Sequence, residues 1–374
     1  MSLEPEVRAA LATVNDPEIR KPITDLDMVE SVTASAGGAV TVSVLLTVPG
    51  CPMKEQLTRD VTAAVSKVPG VTSVDVKLGV MTDAQRTELR TKLRGDAPTN
   101  EIPFAQPGSR TRVYAVSSGK GGVGKSSVTV NLAAALAQKG LAVGVVDADI
   151  YGFSVPRMLG VTGKPTQVEK MIMPPVAHDV KVISIGMFTP GNTAVVWRGP
   201  MLHRALQQFL AEVFWGDLDV LLMDLPPGTG DIAISVAQLI PSAELLVVTT
   251  PQLAAREVAE RAGSIALQTH QQIVGVVENM SWLDLPDGTR MELFGSGGGQ
   301  AVADSLAAAT GTRVPLLGQI PIDQTVREGG DAGAPVVLTT PDSPAAVALL
   351  AVADALASRQ HSLAGRSLGL TPTR

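Results

Sequence analysis

The residues best equipped for chemistry lie together at Gly119-Lys120-Gly121-Gly122-Val123-Gly124-Lys125-Ser126, which fits the spacing G-x-x-x-x-G-K-[ST]. Glycines so placed let the backbone wrap closely and aim successive N–H groups at phosphate oxygens. Lys125 is positioned to reach β- and γ-phosphates, and the Ser126 hydroxyl to ligate Mg2+. The segment sits between the apolar run VYAVS and the Ala/Leu-rich stretch SVTVNLAAALAQ. A strand should therefore feed the loop, and a helix N-terminus should add its partial positive charge to the same anion. Gly119 through Ser127 are the expected nucleotide-binding positions.

Carboxylates at the ends of two other apolar runs point the same way. Val220-Leu221-Leu222-Met223 ends in Asp224, which is expected to hold the Mg2+ shell through water. The loop after it carries Gly228, whose N–H can sense a γ-phosphate and change shape on hydrolysis. Asp147 and Asp149 follow Val143-Gly144-Val145-Val146. An aspartate here orients the attacking water or contacts metal; the alternative is a solvated turn that caps the next helix. The run Gly295 to Gly299 lacks a trailing Lys-Ser/Thr and reads as a flexible turn. His178, His203, His270 and His361 have no short-spaced ligand partner, so they suggest no metal site beyond Mg2+.

Cys51 is the sole cysteine, which excludes an intrachain disulfide framework and any cluster site built from several cysteines of one subunit. It stands between Pro49-Gly50 and Pro52 at an expected helix start. That setting lowers a thiol pKa and makes it reactive. The competing reading is a buried small side chain.

Several elements must position these groups. Short, nearly continuous apolar runs at 113–117, 143–146, 220–223, 245–249, 273–277 and 316–320 alternate with Ala/Leu-rich stretches. Strands buried on both faces look like this, so the later part of the chain is expected to be α/β, a parallel sheet with helices on both faces. Residues 95–110 (GDAPTNEIPFAQPGSR) read as a linker, leaving residues 1–94 as a small α+β domain and 111–374 as the phosphate-binding domain. In the leading part, 4–14, 51–67 and 83–94 read as helices, and 28–33, 39–47 and 71–78 as strands.

Composition narrows the function. With 45% hydrophobic and 18% charged residues, disorder as the main theme is excluded. A net charge of −6 argues against a protein that coats nucleic acid, and 3% aromatics against a single-strand stacking platform. The acidic start MSLEPEVRAA has no apolar stretch, and the apolar tail at 345–357 is interrupted by Asp354 and too short for a bilayer. A cytoplasmic protein with neither a nucleic-acid nor a membrane partner is the expectation.

Lys120 departs from ordinary phosphate loops. KGGVGKS resembles the deviant Walker A group that includes the MinD, ParA, ArsA and nitrogenase iron-protein ATPases. The resemblance implies a homodimer in which Lys120 crosses to the partner's nucleotide, with Asp149 in switch I and Gly228 in switch II. It also implies ATP hydrolysis in which Lys120, Lys125, Asp149 and Asp224 are the catalytic groups. Within that group the chain is similar to the Mrp/ApbC iron–sulfur cluster carrier ATPases. VYAVSSGKGGVGKSSVTVNLAAALAQKG, VDADIYGFSVPRMLG, LLMDLPPGTGD, VVENMS and FGSGGG look like that family's blocks, in its order. DPEI at 16–19 and TVPGCP at 47–52 resemble the small iron–sulfur assembly domain that often precedes these ATPases. By resemblance Asn279 reads the adenine edge, with a packed strand-end asparagine as the other reading, and Cys51 is a position for iron–sulfur chemistry. Apo client proteins and cluster assembly proteins are the implied partners.

One departure matters. Many family members carry a C-P-x-C pair after the ENMS block, whereas Leu285 and Gly288 stand there in this chain, and neither ligates iron. A cluster needs soft thiolates, usually four, and a dimer of this chain offers one Cys51 from each subunit. The alternative function is therefore an ATP-dependent dimeric switch or adaptor of MinD/ParA type that carries no cluster itself. A membrane-bound switch would want lysines along a terminal amphipathic helix, and 344–359 contains none.

Overall fold

The expected apolar runs form one parallel sheet, and its strand order decides which loop ends meet. The structure, a computed structural model, describes residues 3–47, 53–94, 101–106, 108–149, 152–169, 171–188, 199–228, 231–252, 263–264 and 266–359. They form two compact units, one of residues 1–101 with 163–175 and 212–216, the other of 102–162, 176–211 and 217–374.

In the first unit, helices α1 (Glu4–Leu11), α2 (Lys54–Val65) and α3 (Asp83–Arg94) accompany strands β1 (Val29–Ala34), β2 (Ala39–Leu46) and β3 (Ser73–Val80). β2 pairs antiparallel with β1 and parallel with β3. Alternation in β2 turns Val40, Val42 and Val44 inward against Leu11, Leu57 and Val61. Val168, Met171, Met173 and Phe214, from the later stretches that belong to this unit, complete that core. The DPEI segment is a tight turn in which Asp16 Oδ1 accepts from the N–H groups of Glu18 (3.0 Å) and Ile19 (2.7 Å). Burial, with the Asp16 charge beside it, pushes the Glu18 carboxyl up to about 7.

The second unit is built on strands β4 (Arg112–Ser117), β5 (Val143–Asp147), β9 (Val180–Ser184), β10 (Val220–Asp224), β11 (Glu244–Thr249), β12 (Ile273–Asp284) and β14 (Leu316–Ile322). Between β5 and β9 in the chain, β6 (Thr166–Val168) and β7 (Met171–Met173) form a separate pair in the first unit, whereas β8 (Val176–Ala177) belongs to the second, where β13 (Arg290–Met291) pairs with the end of β12. The parallel order runs β14-β12-β11-β4-β10-β5-β9, with β8 and β13 added antiparallel. β4 is thus central and has β10 beside it, and β10 has β5 on its other side.

Helix α4 (Lys125–Gln138) is buried almost all round, from Val128 through Ala137, as an apolar helix without a polar stripe must be. Leu132 and Leu136 share their core with Leu349, Val352 and Leu356 of the helix Pro344–Ala357. Arg112 at the start of β4 donates to the carbonyls of Leu356 (2.8 Å) and Ala357 (3.0 Å), so the strand that carries the loop also caps the last helix.

Sequence and structure differ at several places, among them the stretches 163–175 and 212–216, which join the first unit, and the expected linker, where Ile102 and Phe104 are buried. β12 runs on past the expected 273–277, carries Met280 in a left-handed conformation (φ 59°), and makes a turn back to β13. β9 was not expected, because Lys181 breaks its apolar run even though the residue is buried. The glycine run is a tight joint rather than a flexible turn. Gly297 is left-handed at the start of the helix Gly298–Thr310, and a Cβ on Gly298 would overlap the Pro251 carbonyl.

Candidate nucleotide-binding site

The loop between β4 and α4 has the form its glycines allow. Gly122 and Gly124 both have φ of 78°, which side-chain-bearing residues avoid. A Cβ on Gly124 would also overlap the Asn279 side-chain amide. That amide donates to the Val123 carbonyl at 2.9 Å, so Asn279 braces the loop from β12.

Lys125 opens α4, and its side chain is 6% exposed. Nζ pairs with Asp224 Oδ1 at 2.8 Å, and among the described residues no other acceptor engages it, so the ammonium keeps donors to spare. Asp224 offsets part of the cost of burying that charge, and a further anion would offset more. Asp224, fully buried at the end of β10, accepts from Ser126 Oγ at 2.6 Å on Oδ2. Thr129 Oγ1 stands 2.8 Å from Asp224 Oδ1 and 3.0 Å from the Lys125 carbonyl, and its one hydrogen must choose between them.

A divalent cation fits this donor set. The Ser126 hydroxyl and the Asp224 carboxylate are hard oxygen donors already in contact, as Mg2+ prefers, and the unspent Lys125 donors suit the phosphates that would accompany it. Among the described residues no group of three or more His, Cys, Asp or Glu side chains is arranged to hold a metal ion.

Asp147 ends β5 directly opposite Asp224 in register and is fully buried. Desolvation first, and the Asp224 charge second, push its carboxyl up from 3.8 to about 8. Its oxygens are held by the Asp149 N–H (3.2 Å) and Ser184 Oγ (3.1 Å). Asp149, half-buried, accepts from the Gly152 N–H at 3.1 Å within its own turn and does not cap the next helix, Val155–Met158, whose N-cap position is Ser154.

Gly228, with φ of 93°, gives its N–H to the Ser118 carbonyl at 2.8 Å. Lys120 Nζ donates to Gln252 Oε1 in the turn after β11. Cys51 and His361 lie outside the described residues. The structure therefore gathers Gly119 to Ser127, Asp147, Asp149, Asp224, Gly228 and Asn279 at one end of the sheet. His178 is away from it, with Nε2 3.0 Å from the Gly333 carbonyl.

Sequence reasoning missed Thr129, Ser184, Gln252 and Glu278. Thr129 was findable, since it lies four residues after Lys125 on one helix face. Ser184, Gln252 and Glu278 depend on which strands are neighbours, and no local spacing signals that.

A glycine cradle at the carboxyl end of a central parallel strand, with a buried lysine and an acidic strand end facing a serine, defines a P-loop nucleotide-binding protein. The chain belongs to the NUBPL iron-transfer P-loop NTPase family, whose model matches residues 109–357. A model described as iron-sulfur cluster assembly protein matches residues 4–76. The chain is 66% identical over 372 residues to the iron-sulfur cluster carrier protein of Mycobacterium tuberculosis, covering 100% of this chain and 98% of the relative. It is 41% identical to the protein of the same name from Synechocystis, covering 94% and 96%. Among solved structures, the nucleotide-binding protein of Archaeoglobus fulgidus in complex with ADP is 34% identical, with a TM-score of 0.54 over 63% of this chain and 90% of that one. No described helix is long and apolar enough to cross a membrane.

The raised Asp147 carboxyl makes stability depend on pH. Its folded value, about 8, lies above its ordinary 3.8, so between these values the native state holds a proton that the unfolded chain has released. This contribution is complete below pH ~4 and is lost as pH rises towards 8. Thermal unfolding of Asp147→Asn should therefore show a midpoint that falls less between pH 5 and 8 than in the parent. An unchanged or steeper fall would contradict the assignment.

Proposed function

We propose that this chain is a Mg2+-dependent ATPase that works as a homodimer in the cytoplasm and passes iron–sulfur clusters to apo client proteins. The observation that carries the nucleotide half is the buried Lys125 ammonium, paired with Asp224 at 2.8 Å and engaged by no other acceptor among the described residues. The triphosphate of ATP supplies that acceptor, with the loop N–H groups and the start of α4 facing the same oxygens. Ser126 Oγ would hold Mg2+ directly and Asp224 through water; the ion would neutralise charge gathering on the β- and γ-phosphates. Asp149 orients the attacking water for in-line displacement, while Lys120 of a second copy adds a cation where negative charge accumulates. Asn279 meets the adenine edge once a nucleotide is in place.

Gly228 supplies the switch. Its N–H bonds to Ser118, and in sensing a γ-phosphate it exchanges that carbonyl for a phosphate oxygen, moving the loop after Asp224. Hydrolysis reverses the exchange, so ATP gates the docking or release of cargo.

The cargo half rests on the family and on Cys51. A second reading, an ATP-dependent switch or adaptor that carries no cluster itself, is favoured by one observation. The stretch where other members place a cysteine pair is a closed turn, in which Leu285 N–H donates to the Thr289 carbonyl (2.8 Å) and Gly288 N–H to the Leu285 carbonyl (2.9 Å). Neither residue offers a soft ligand.

Calorimetry and phosphate release separate the two lysines. Lys125→Ala should weaken Mg·ATP binding by more than about tenfold, since charged hydrogen bonds are lost. Lys120→Ala should bind normally and turn over at least about 100-fold more slowly, as for a cation supplied in trans. A Lys120→Ala defect that lies wholly in binding would contradict the trans role. Anaerobic reconstitution with iron and sulfide tests the cargo: a visible thiolate-to-iron band is expected in the parent and absent from Cys51→Ala. No band in either protein would remove the carrier role and leave the switch.

A further inference from the structure

The glycine run at 295–299 and the buried acid Glu278 have no part in the mechanism proposed above, yet they meet beside Asn279. Glu278 lies in β12, and two other elements take its two oxygens. Oε2 accepts from the Gly299 N–H at 2.5 Å, in the first turn of the helix Gly298–Thr310. Oε1 accepts from Gln319 Nε2 of β14 at 2.7 Å. A Cβ on Gly299 would lie 2.7 Å from that of Glu278, so only glycine lets the helix start come this near. Both donors are neutral, and a carboxyl held by them is a more costly occupant of a strand than an apolar side chain. The residue after Asn279, Met280, is left-handed (φ 59°), and Ser281 Oγ donates to the Glu278 carbonyl at 3.0 Å. A left-handed methionine persists only where its surroundings fix the chain. Asn279 is therefore held between a clasped residue and a strained one.

We infer that Glu278 is a positioning residue, and that its clasp on Gly299 and Gln319 fixes Asn279 so that the site takes 6-amino purines and refuses 6-oxo ones. An amide free to turn offers a donor or an acceptor as the base requires, and so tells the two edges apart poorly. Asn279 spends an Nδ2 hydrogen on the Val123 carbonyl, which leaves Oδ1 as its acceptor. An adenine amine has a hydrogen for that oxygen, whereas a 6-oxo group has none. A carboxyl suits the clasp, because it accepts from two donors at once. The inference rests on the reading of Asn279 at the adenine edge. It gives the glycine run a task in base selection instead of phosphate binding, since the Gly299 N–H is already taken by the chain's own acid.

The test uses the full chain and two readouts. One is the ratio of affinities for Mg·ADP and Mg·IDP, whose bases differ at the 6-position edge, measured by calorimetry. The other needs no nucleotide: the hydrogen-exchange rate of the Gly299 amide. Glu278→Met removes both acceptors at similar length, and should lower the ADP:IDP ratio about tenfold, the worth of one base-edge hydrogen bond, and quicken the exchange at least about tenfold. Glu278→Gln should stay within about twofold of the parent in both, because its oxygen still accepts from Gly299 and its NH2 can donate to a turned Gln319 amide. In an Asn279→Ala background Glu278→Met should leave the ratio unmoved. Gln319→Leu, at an exposed position, takes away one donor and should move the ratio the same way by a smaller factor. An unchanged ratio in Glu278→Met, or in Gln319→Leu should Glu278→Met not fold, overturns the inference. So does a fall in ratio that persists without Asn279, or one shared equally by Glu278→Gln. If Asn279→Ala keeps the parent ratio, the adenine reading fails and base selection falls with it, while quickened Gly299 exchange in Glu278→Met would still establish the clasp.

Discussion

Everything at this site follows from one constraint: a lysine ammonium and two aspartates share a dry pocket at the end of a parallel sheet. Asp147 and Asp224 sit in register on neighbouring strands, and Lys125 enters from the helix after β4. Buried charges are tolerated only when opposed, and here the opposition is incomplete. The molecule meets the cost in part by keeping a proton on Asp147, and in part with hydroxyls from Ser126, Thr129 and Ser184. What remains is a cation paired with one carboxylate and with donors to spare at the start of the helix that follows the loop. A phosphate oxygen would satisfy those donors.

The groups that would answer a nucleotide are engaged elsewhere beforehand. The Gly228 N–H is given to Ser118, the Asn279 amide to Val123, and the Lys120 amine to Gln252. Each is a modest hydrogen bond that a more strongly charged acceptor can replace. Such a site is preorganised at its floor, where Lys125, Ser126 and Asp224 are locked, and exchangeable at its rim. That division suits a switch, because the floor binds in every state while the rim registers what is bound. The same division accounts for the glycines at 124 and 298, where backbone must approach a neighbour more closely than any Cβ permits.

Much of this was legible in the sequence where chemistry and spacing coincide. The loop at 119–126 is its own signal, because each glycine, the lysine and the serine has a separate physical reason to be there. Asp224 was legible as the end of an apolar run. What was not legible depends on neighbours in space. Nothing near Glu278 announces that a glycine amide and Gln319 will donate to it, and nothing near Gln252 announces a lysine from the loop after β4, which neighbours β11 in the sheet but lies far away in the chain. β9 was hidden because Lys181 breaks its apolar pattern, though tertiary packing buries that lysine all the same. The stretches at 163–175 and 212–216 belong to the first unit for the same reason: their apolar residues complete a core whose other members lie far away in the chain.

The central claim is that the Lys125–Ser126–Asp224 floor is built for the phosphate tail with its cation, and it predicts which part of a nucleotide stabilises the fold. Thermal unfolding with adenosine, with ADP in excess chelator, and with Mg·ADP measures this directly, since a ligand raises the midpoint only as it binds the native state. The midpoint should rise most with Mg·ADP, less with ADP alone and not at all with adenosine. A rise with adenosine equal to that with Mg·ADP, or no rise with any of the three, would contradict the account.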